Sequence, residues 1–194
     1  MKDSSFDRVA SIPWAARLLN DPKWTVTRTG SRLPKSSGED SFFAETLATN
    51  RTIRTCLTLR TVEEADDEQP YKEIVTIVEI GDGLNGFPQV IHGGMAATLL
   101  DEVCGVLIVS NTERVLERAK ASGSTDQLLN ADYMTAYLNM TYRRPVPTPG
   151  PLLCTAKVDR QDGRKLYVRA TIEDGRGTVY TIGEALFIKM KAKL

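Results

Sequence analysis

The order of segments along the chain predicts an α+β fold in which an antiparallel sheet wraps around one long helix. Three observations predict it. Two strand-like runs precede residues 93–110 (GGMAATLLDEVCGVLIVS), four more follow, and the segment between is apolar on nearly every side with only two acids inside it. A helix of that kind is buried over most of its surface, and a sheet curved around it satisfies this order of elements.

Each element has its own local reason. Residues 13–20 (PWAARLLN) predict a short helix with Ser11 as N-cap and Pro13 in the first turn. Residues 28–40, rich in Gly, Ser, Pro and charge, read as a mobile connector. Residues 1–40 are therefore expected to be an N-terminal helix and connector, and residues 41–194 the main domain. Residues 53–62 alternate apolar and polar side chains with period two, as a half-buried strand does. An acidic loop at 63–68 leads to a second strand, 72–80, rich in β-branched residues, and 81–88 is a turn region. After the apolar helix comes a polar stretch, 111–130, in which 112–120 either extends the helix or starts another. Residues 135–144, 152–160, 165–173 and 179–189 complete the sheet, with hairpin turns at 161–163 and 174–177.

Bulk composition removes several function classes. The 194 residues suit one domain with a sizeable core. Lys+Arg and Asp+Glu both number 25, so no global field draws the chain to nucleic acid or an anionic membrane. A phosphate-bearing ligand would need a local basic patch instead. Cys56, Cys104 and Cys154 lie far apart among apolar neighbours with no CxxC pair, which supports neither a zinc site nor a disulfide framework. They read as reduced core residues. Residues 1–10 carry Asp3, Asp7 and Arg8 and no apolar signal segment, so a cytoplasmic location is expected ahead of the mitochondrial matrix. The longest apolar stretch, 103–109, falls far short of the roughly 20 residues that span a bilayer. His92 is the only histidine, so no histidine cluster can hold a metal, and any Ser-His-Asp triad would have to use it.

The chemistry concentrates at the start of the apolar helix. Gly93 and Gly94 let a ligand approach the backbone closely. The first N–H groups of a helix lack internal acceptors and carry the positive end of its dipole, so they suit an oxygen that gains negative charge when a carbonyl is attacked. Gly94 N–H is the first candidate; the plainer reading is that the glycines only permit tight packing. Asp101 lies seven residues on, about two turns and about 11 Å away on the same side. A carboxylate in an apolar helix needs a hydrogen-bond partner, which is the structural alternative to catalysis. Glu102, about 100° round the helix, is the rival acid. Arg143 and Arg144, just before Pro145, end a strand with two guanidiniums on opposite faces. Arginine suits phosphate through its forked donors, and Arg160, Arg164 and Lys165 on the next hairpin are candidates to join them.

Residues 85–102 (NGFPQVIHGGMAATLLDE) and 135–147 (TAYLNMTYRRPVP) together resemble the PaaI-type acyl-CoA thioesterases of the hotdog superfamily. The resemblance covers about a third of the chain directly and rests on HGG with an acid nine residues after the histidine, a buried helix and a following YRRP strand. It implies a hotdog fold and a homodimer or dimer of dimers, with Asp101 of one subunit facing the Gly94 end of its partner's helix as nucleophile or as base for water. It further implies that His92 positions the helix entrance, that Asn85 assists the carbonyl or the water, and that Thr135 hydrogen-bonds the water or carboxylate. Arg143, Arg144, Arg160 and Lys165 would meet coenzyme A, which enters as part of the substrate; no other cofactor and no metal is expected. Hotdog dehydratases resemble a pattern of Asp followed five residues later by His. Here that position is Val106, which disfavours their chemistry. Release or editing of a carrier-bound acyl chain in a biosynthetic pathway, and non-catalytic acyl-CoA binding, stand as alternatives. Ala96 and Ala97, with residues 111–130, suggest room for a medium or long acyl chain.

Overall fold

A computed structural model describes residues 4–123 and 132–190. Two short helices, α1 (Ser4–Ala10) and α2 (Pro13–Leu19), come first, followed by β1 (Trp24–Thr27), β2 (Ile53–Thr61) and β3 (Glu73–Ile80). A small hairpin of β4 (Asn85–Phe87) and β5 (Val90–Ile91) opens into α3 (Gly93–Ala121). Strands β6 (Tyr133–Tyr142), β7 (Gly150–Asp162), β8 (Lys165–Glu173) and β9 (Val179–Lys189) complete the chain. Seven strands form one antiparallel sheet in the order β1-β2-β3-β7-β8-β9-β6. Helix α3 lies in its concave face, and the arrangement is the hotdog fold.

The core explains the sequence pattern. Leu99, Leu100, Val103, Cys104 and Leu107 of α3 pack against Ile74, Val78, Leu152, Leu166 and Ile172 of the sheet. On the opposite face of β2 and β3, Val9, Trp14 and Ala15 of the N-terminal helices cover Leu57, Leu59, Val75 and Ile77. Strand β3 is thus buried on both sides, which is why its sequence is a near-continuous β-branched run rather than an alternation. Strand β2, expected to be half-buried, is covered on both sides for the same reason. By length and composition α3 could cross a membrane, but its apolar side chains are those of a core helix.

Two local expectations need correction, and a third, left open, is decided. Helix α2 is capped at Ile12 without a side-chain bond, and Ser11 instead donates its hydroxyl to the Arg8 carbonyl at 2.7 Å. The 28–40 connector is pinned rather than loose: Thr29 is buried and bonds Thr58 at 2.8 Å, and the Arg32 guanidinium donates to the carbonyls of Phe43 and Ile53. Helix α3 continues unbroken through 112–120 to Ala121; residues 124–131 lie outside the described part of the chain. The three cysteines are free thiols, and burial pushes that of Cys56 up to about 12.

The far end of α3 is fastened by polar contacts. Buried Asn111 accepts from Tyr71 N–H at 2.7 Å and donates to the Tyr71 carbonyl at 3.0 Å, as a neighbouring strand would. Glu64 accepts from Arg114 and Arg118, both at 2.8 Å, and from the Tyr71 hydroxyl at 2.9 Å. Burial alone would raise the Glu64 carboxyl, but these donors outweigh it and bring it from the ordinary 4.5 to about 2. The stabilisation is therefore complete above the ordinary value and disappears as pH falls from about 4.5 towards 2. Glu64→Gln should cost about 1 kcal/mol at neutral pH, discounted for partial exposure. Its deficit against the wild type should shrink on acidification, as read from denaturant midpoints across pH.

Candidate active site

The turn before α3 fixes the helix entrance. Gln89 adopts a left-handed conformation (φ 61°) between β4 and β5. The Ile91 and His92 amides donate to the carbonyls of Val146 and Leu84 at 3.0 and 2.8 Å. His92 is the N-cap of α3, and its Nδ1 accepts from Gly94 N–H at 3.0 Å. That bond requires a lone pair on Nδ1, so the capping imidazole carries its proton on Nε2. Gly86 permits the arrangement, because a Cβ there would stand 2.9 Å from His92 Cα. His92, Gly93 and Gly94 are all exposed.

The sequence points to Gly94 N–H as the donor for a developing oxyanion, yet here that donor already serves His92. Gly93 N–H meets no acceptor among the described residues. Both belong to the first turn, where the dipole is favourable. The Gly93 carbonyl accepts from the Tyr142 hydroxyl at 2.9 Å, tying the helix start to the end of β6. Asn85 is exposed on β4, and its Oδ1 accepts from the Thr148 hydroxyl. No local pattern in the sequence paired Asn85 with Thr148; the contact comes from the 146–148 segment folding back on β4–β5.

Asp101 is half-buried on the flank of α3 that faces β6, where its Oδ1 accepts from the Thr135 hydroxyl at 2.9 Å. The structure thus brings two of the expected residues together. Thr135 borders a bulge in the β6–β9 pairing, where the register shifts between Thr135 and Tyr137; bulges commonly re-aim side chains in this way. Glu102 turns to the other flank, beside Ser31 of the connector. Burial is the largest influence there and raises its carboxyl, with the charges of Asp40 and Asp101 adding to the rise and Ser31 and Arg32 opposing it. Glu102 does not share the Thr135 contact that orients Asp101.

The basic residues divide into two groups. Arg143 and Arg144 both donate their amides to the Tyr180 carbonyl, at 2.8 and 3.1 Å. Both residues border a groove of about 270 Å³ with Gly93, Ala96 and Tyr142, and among the described residues neither forms an ion pair. Arg160 instead pairs with Asp159 at 2.8 Å and lies 3.7 Å over the Tyr167 ring. Lys165 sits beside Ile188, whereas Tyr142 sits beside Thr181, seven residues away on β9. That spacing is about 24 Å of strand. Within one chain, Arg160, Arg164 and Lys165 do not join the Arg143 groove.

Residues 88–181 match the model of the thioesterase superfamily. Acyl-coenzyme A thioesterase THEM4 of Mus musculus is 33% identical over 120 residues, covering 61% of this chain and 44% of that protein. The chain therefore spans less than half the length of that relative. Verlamelin biosynthesis protein B of Lecanicillium sp is 28% identical over 163 residues, covering 75% of this chain and 71% of that protein. Among solved structures, a phenylacetic acid degradation-related protein from Ralstonia eutropha superposes with a TM-score of 0.50 at 18% identity, covering 80% of this chain and 92% of that one. That last likeness is one of fold.

Removing the cap tests the helix entrance. His92→Ala should destabilise the protein by about 1 kcal/mol, and His92→Asn, which retains a capping acceptor, should restore most of it. Chemical denaturation of the three proteins measures this.

Proposed function

We propose that this chain, a member of the thioesterase superfamily through residues 88–181, hydrolyses an acyl-CoA thioester to free acid and coenzyme A in a site completed by a second copy. The observation that carries the reading is a pair of contacts along one strand. Thr135 of β6 holds Asp101, and Tyr142 of β6 holds the Gly93 end of the same helix. Within one protomer the two ends of this device lie about two helical turns apart, too far for one carbonyl. Strand β6 is at the sheet edge. Antiparallel pairing of two β6 strands about a twofold axis near Leu138 and Asn139 would bring Thr135 level with Tyr142 of the partner subunit. Asp101 would then face the partner's helix entrance, and the same contact would form twice.

In that composite site the thioester oxygen accepts hydrogen bonds from first-turn amides, with Gly93 N–H available and Gly94 N–H released if His92 turns away. As water or the Asp101 carboxylate adds to the carbonyl carbon, negative charge grows on that oxygen, where preorganised donors are each worth roughly 2.7–4 kcal/mol of barrier. With water as nucleophile, Asp101 takes its proton; collapse then breaks the C–S bond and expels the coenzyme A thiolate. With Asp101 as nucleophile, an anhydride forms first and water cleaves it. Thr135 orients the carboxylate in either route. Arg143 and Arg144 would meet coenzyme A phosphates beside the helix entrance, where the β6–β6 pairing would also bring the partner's hairpin at 160–165.

A second reading replaces coenzyme A with a carrier-bound acyl chain. The similarity to Verlamelin biosynthesis protein B supports keeping it, since the same basic groove would suit a phosphopantetheine arm. Turnover of one acyl group on coenzyme A and on a carrier protein distinguishes them.

Asp101→Asn should lower kcat for thiol release by at least about a hundredfold while leaving the melting temperature nearly unchanged. If the wild type releases no thiol from a broad acyl-CoA panel, hydrolysis is abandoned. Replacing both Arg143 and Arg144 with alanine should raise KM for acyl-CoA several-fold, but leave it unchanged for the same acyl group on N-acetylcysteamine, which has no phosphate. Running the reaction in oxygen-18 water under single turnover tests for the anhydride, because label in Asp101 arises only when water cleaves an anhydride at the aspartyl carbon; chemical trapping of the acyl-enzyme covers cleavage at the acyl carbon.

A further inference from the structure

Two surface features of the protomer are complementary in shape but lie too far apart to meet within it. The first is Phe87, which is 76% exposed beside the turn of the β4–β5 hairpin. The hairpin pairs Phe87 with Val90, and Val90 borders the groove that includes Arg143 and Arg144. The second is an apolar cavity of about 350 Å³ between α3 and the start of β6, with Gly105, Ile108, Val109, Met134 and Phe187 among its walls. Gly105 lies inside a helix, where glycine is destabilising, and a Cβ there would find nothing within 4 Å. Packing within its own chain gives no reason for the missing side chain.

The twofold pairing proposed above brings these features together. It sets Asp101 against the partner's helix entrance at Gly93. Gly105 lies four residues beyond Asp101 on the same side of α3, about 6 Å along its axis. Four residues before the partner's Gly93 is the partner's Gln89, in the turn that joins Phe87 to Val90. On the strands, the same axis sets Met134, a wall of the cavity, level with the partner's Arg143. The charges are complementary too. Glu113 and Asp132 border the cavity, Arg143 and Arg144 flank the hairpin, and among the described residues none of the four forms an ion pair. We infer that this cavity receives the Phe87 ring of a second copy, seated on Gly105, and that the contact sets the register of the β6–β6 pairing. The inference rests on the two-copy site proposed above, and deepens it by naming what aligns the copies. Backbone pairing at a strand edge does not by itself choose a register. A slip of two residues keeps the same faces together but moves one strand by about 7 Å. That slip would withdraw Phe87 from the cavity and Asp101 from the partner's helix entrance.

The test co-expresses two variants of the full chain, Phe87→Cys and Gly105→Cys, and treats the mixture with a bismaleimide on a two-carbon linker. The mixture should yield a cross-linked dimer on denaturing electrophoresis. Each variant alone and the wild type should not, because the axis holds the two copies of Gly105 about 24 Å apart along the helices. Sedimentation equilibrium gives a second readout. Phe87→Ala should raise the dimer Kd about thirtyfold, as the loss of a buried aromatic anchor does. Gly105→Leu should also raise it, by filling the seat. Combining Phe87→Ala with Gly105→Leu should bring Kd closer to the wild type than either change alone, since leucine then occupies the space the ring has left. The inference is overturned if the mixture forms dimers that do not cross-link, or if the effects of the two substitutions on Kd simply add. A protein that stays monomeric overturns it together with the two-copy site. Cross-linking without turnover of any thioester would end the hydrolysis reading and sustain this one.

Discussion

A single helix must cover the whole concave face of this sheet, and the axial position of that helix governs everything else in the molecule. Leu99, Leu100, Val103, Cys104 and Leu107 are each at most 2% exposed, and burying such side chains is worth about 1.5–3 kcal/mol apiece for the larger ones. Apolar packing alone would tolerate small slides. Polar contacts at the two ends do not. At one end His92 caps the first turn and its amide reaches Leu84; at the other the buried Asn111 amide pairs with both backbone groups of Tyr71. A shift of one residue would leave both Asn111 groups buried without partners, at the cost that unsatisfied polar atoms carry.

Fixing α3 in this way fixes its two consecutive acids. They project about 100° apart, and the helix acts as a wall between different surroundings. Asp101 receives the Thr135 hydroxyl on the side of the sheet edge. Glu102 is turned into the crevice under the connector, where burial raises its carboxyl. Neighbouring residues of nearly identical chemistry are thus sorted into an oriented carboxylate on one flank and a carboxyl raised by burial on the other. No catalytic motif alone does this; it follows from the helix register and from the connector that Arg32 anchors to Phe43 and Ile53.

Much of this was legible from residue order. The bounds expected for β8 and β9 coincide with the observed strands, because turn residues punctuate them on both sides. The long helix could be read from its apolar run, and HGG with Asp101 pointed to the helix entrance and its carboxylate. Long-range contacts were hidden. Nothing local says that Thr148 will meet Asn85, that Gly94 N–H will be taken by His92, or that Asn111 will imitate a strand against Tyr71. The connector was misjudged for a related reason. Its Gly, Ser and Pro content describes how freely the chain turns, whereas its order comes from Thr29 and Arg32 reaching partners far away in sequence. Within one chain the basic residues are divided by register, because proximity in sequence between Arg143 and Lys165 becomes opposite ends of a sheet.

The two edges of the sheet differ in a way that bears on the second subunit. Strand β1 has four residues and offers little backbone to another chain. Strand β6 has ten, and its sequence, YMTAYLNMTY, contains neither a charge nor a proline. Exposed edges are ordinarily blunted by such residues or kept short, because free amides and carbonyls recruit further strands. Strand β6 also exposes Met134, Tyr137 and Tyr142. The strand that is least protected against pairing is the same one whose side chains hold Asp101 and the Gly93 end of α3, through Thr135 and Tyr142. Protecting this edge with lysine or proline would guard against aggregation but would forbid the β6–β6 pairing proposed above. An unguarded β6 is therefore the expected consequence if activity requires two copies, and it has no evident use in a chain that works alone.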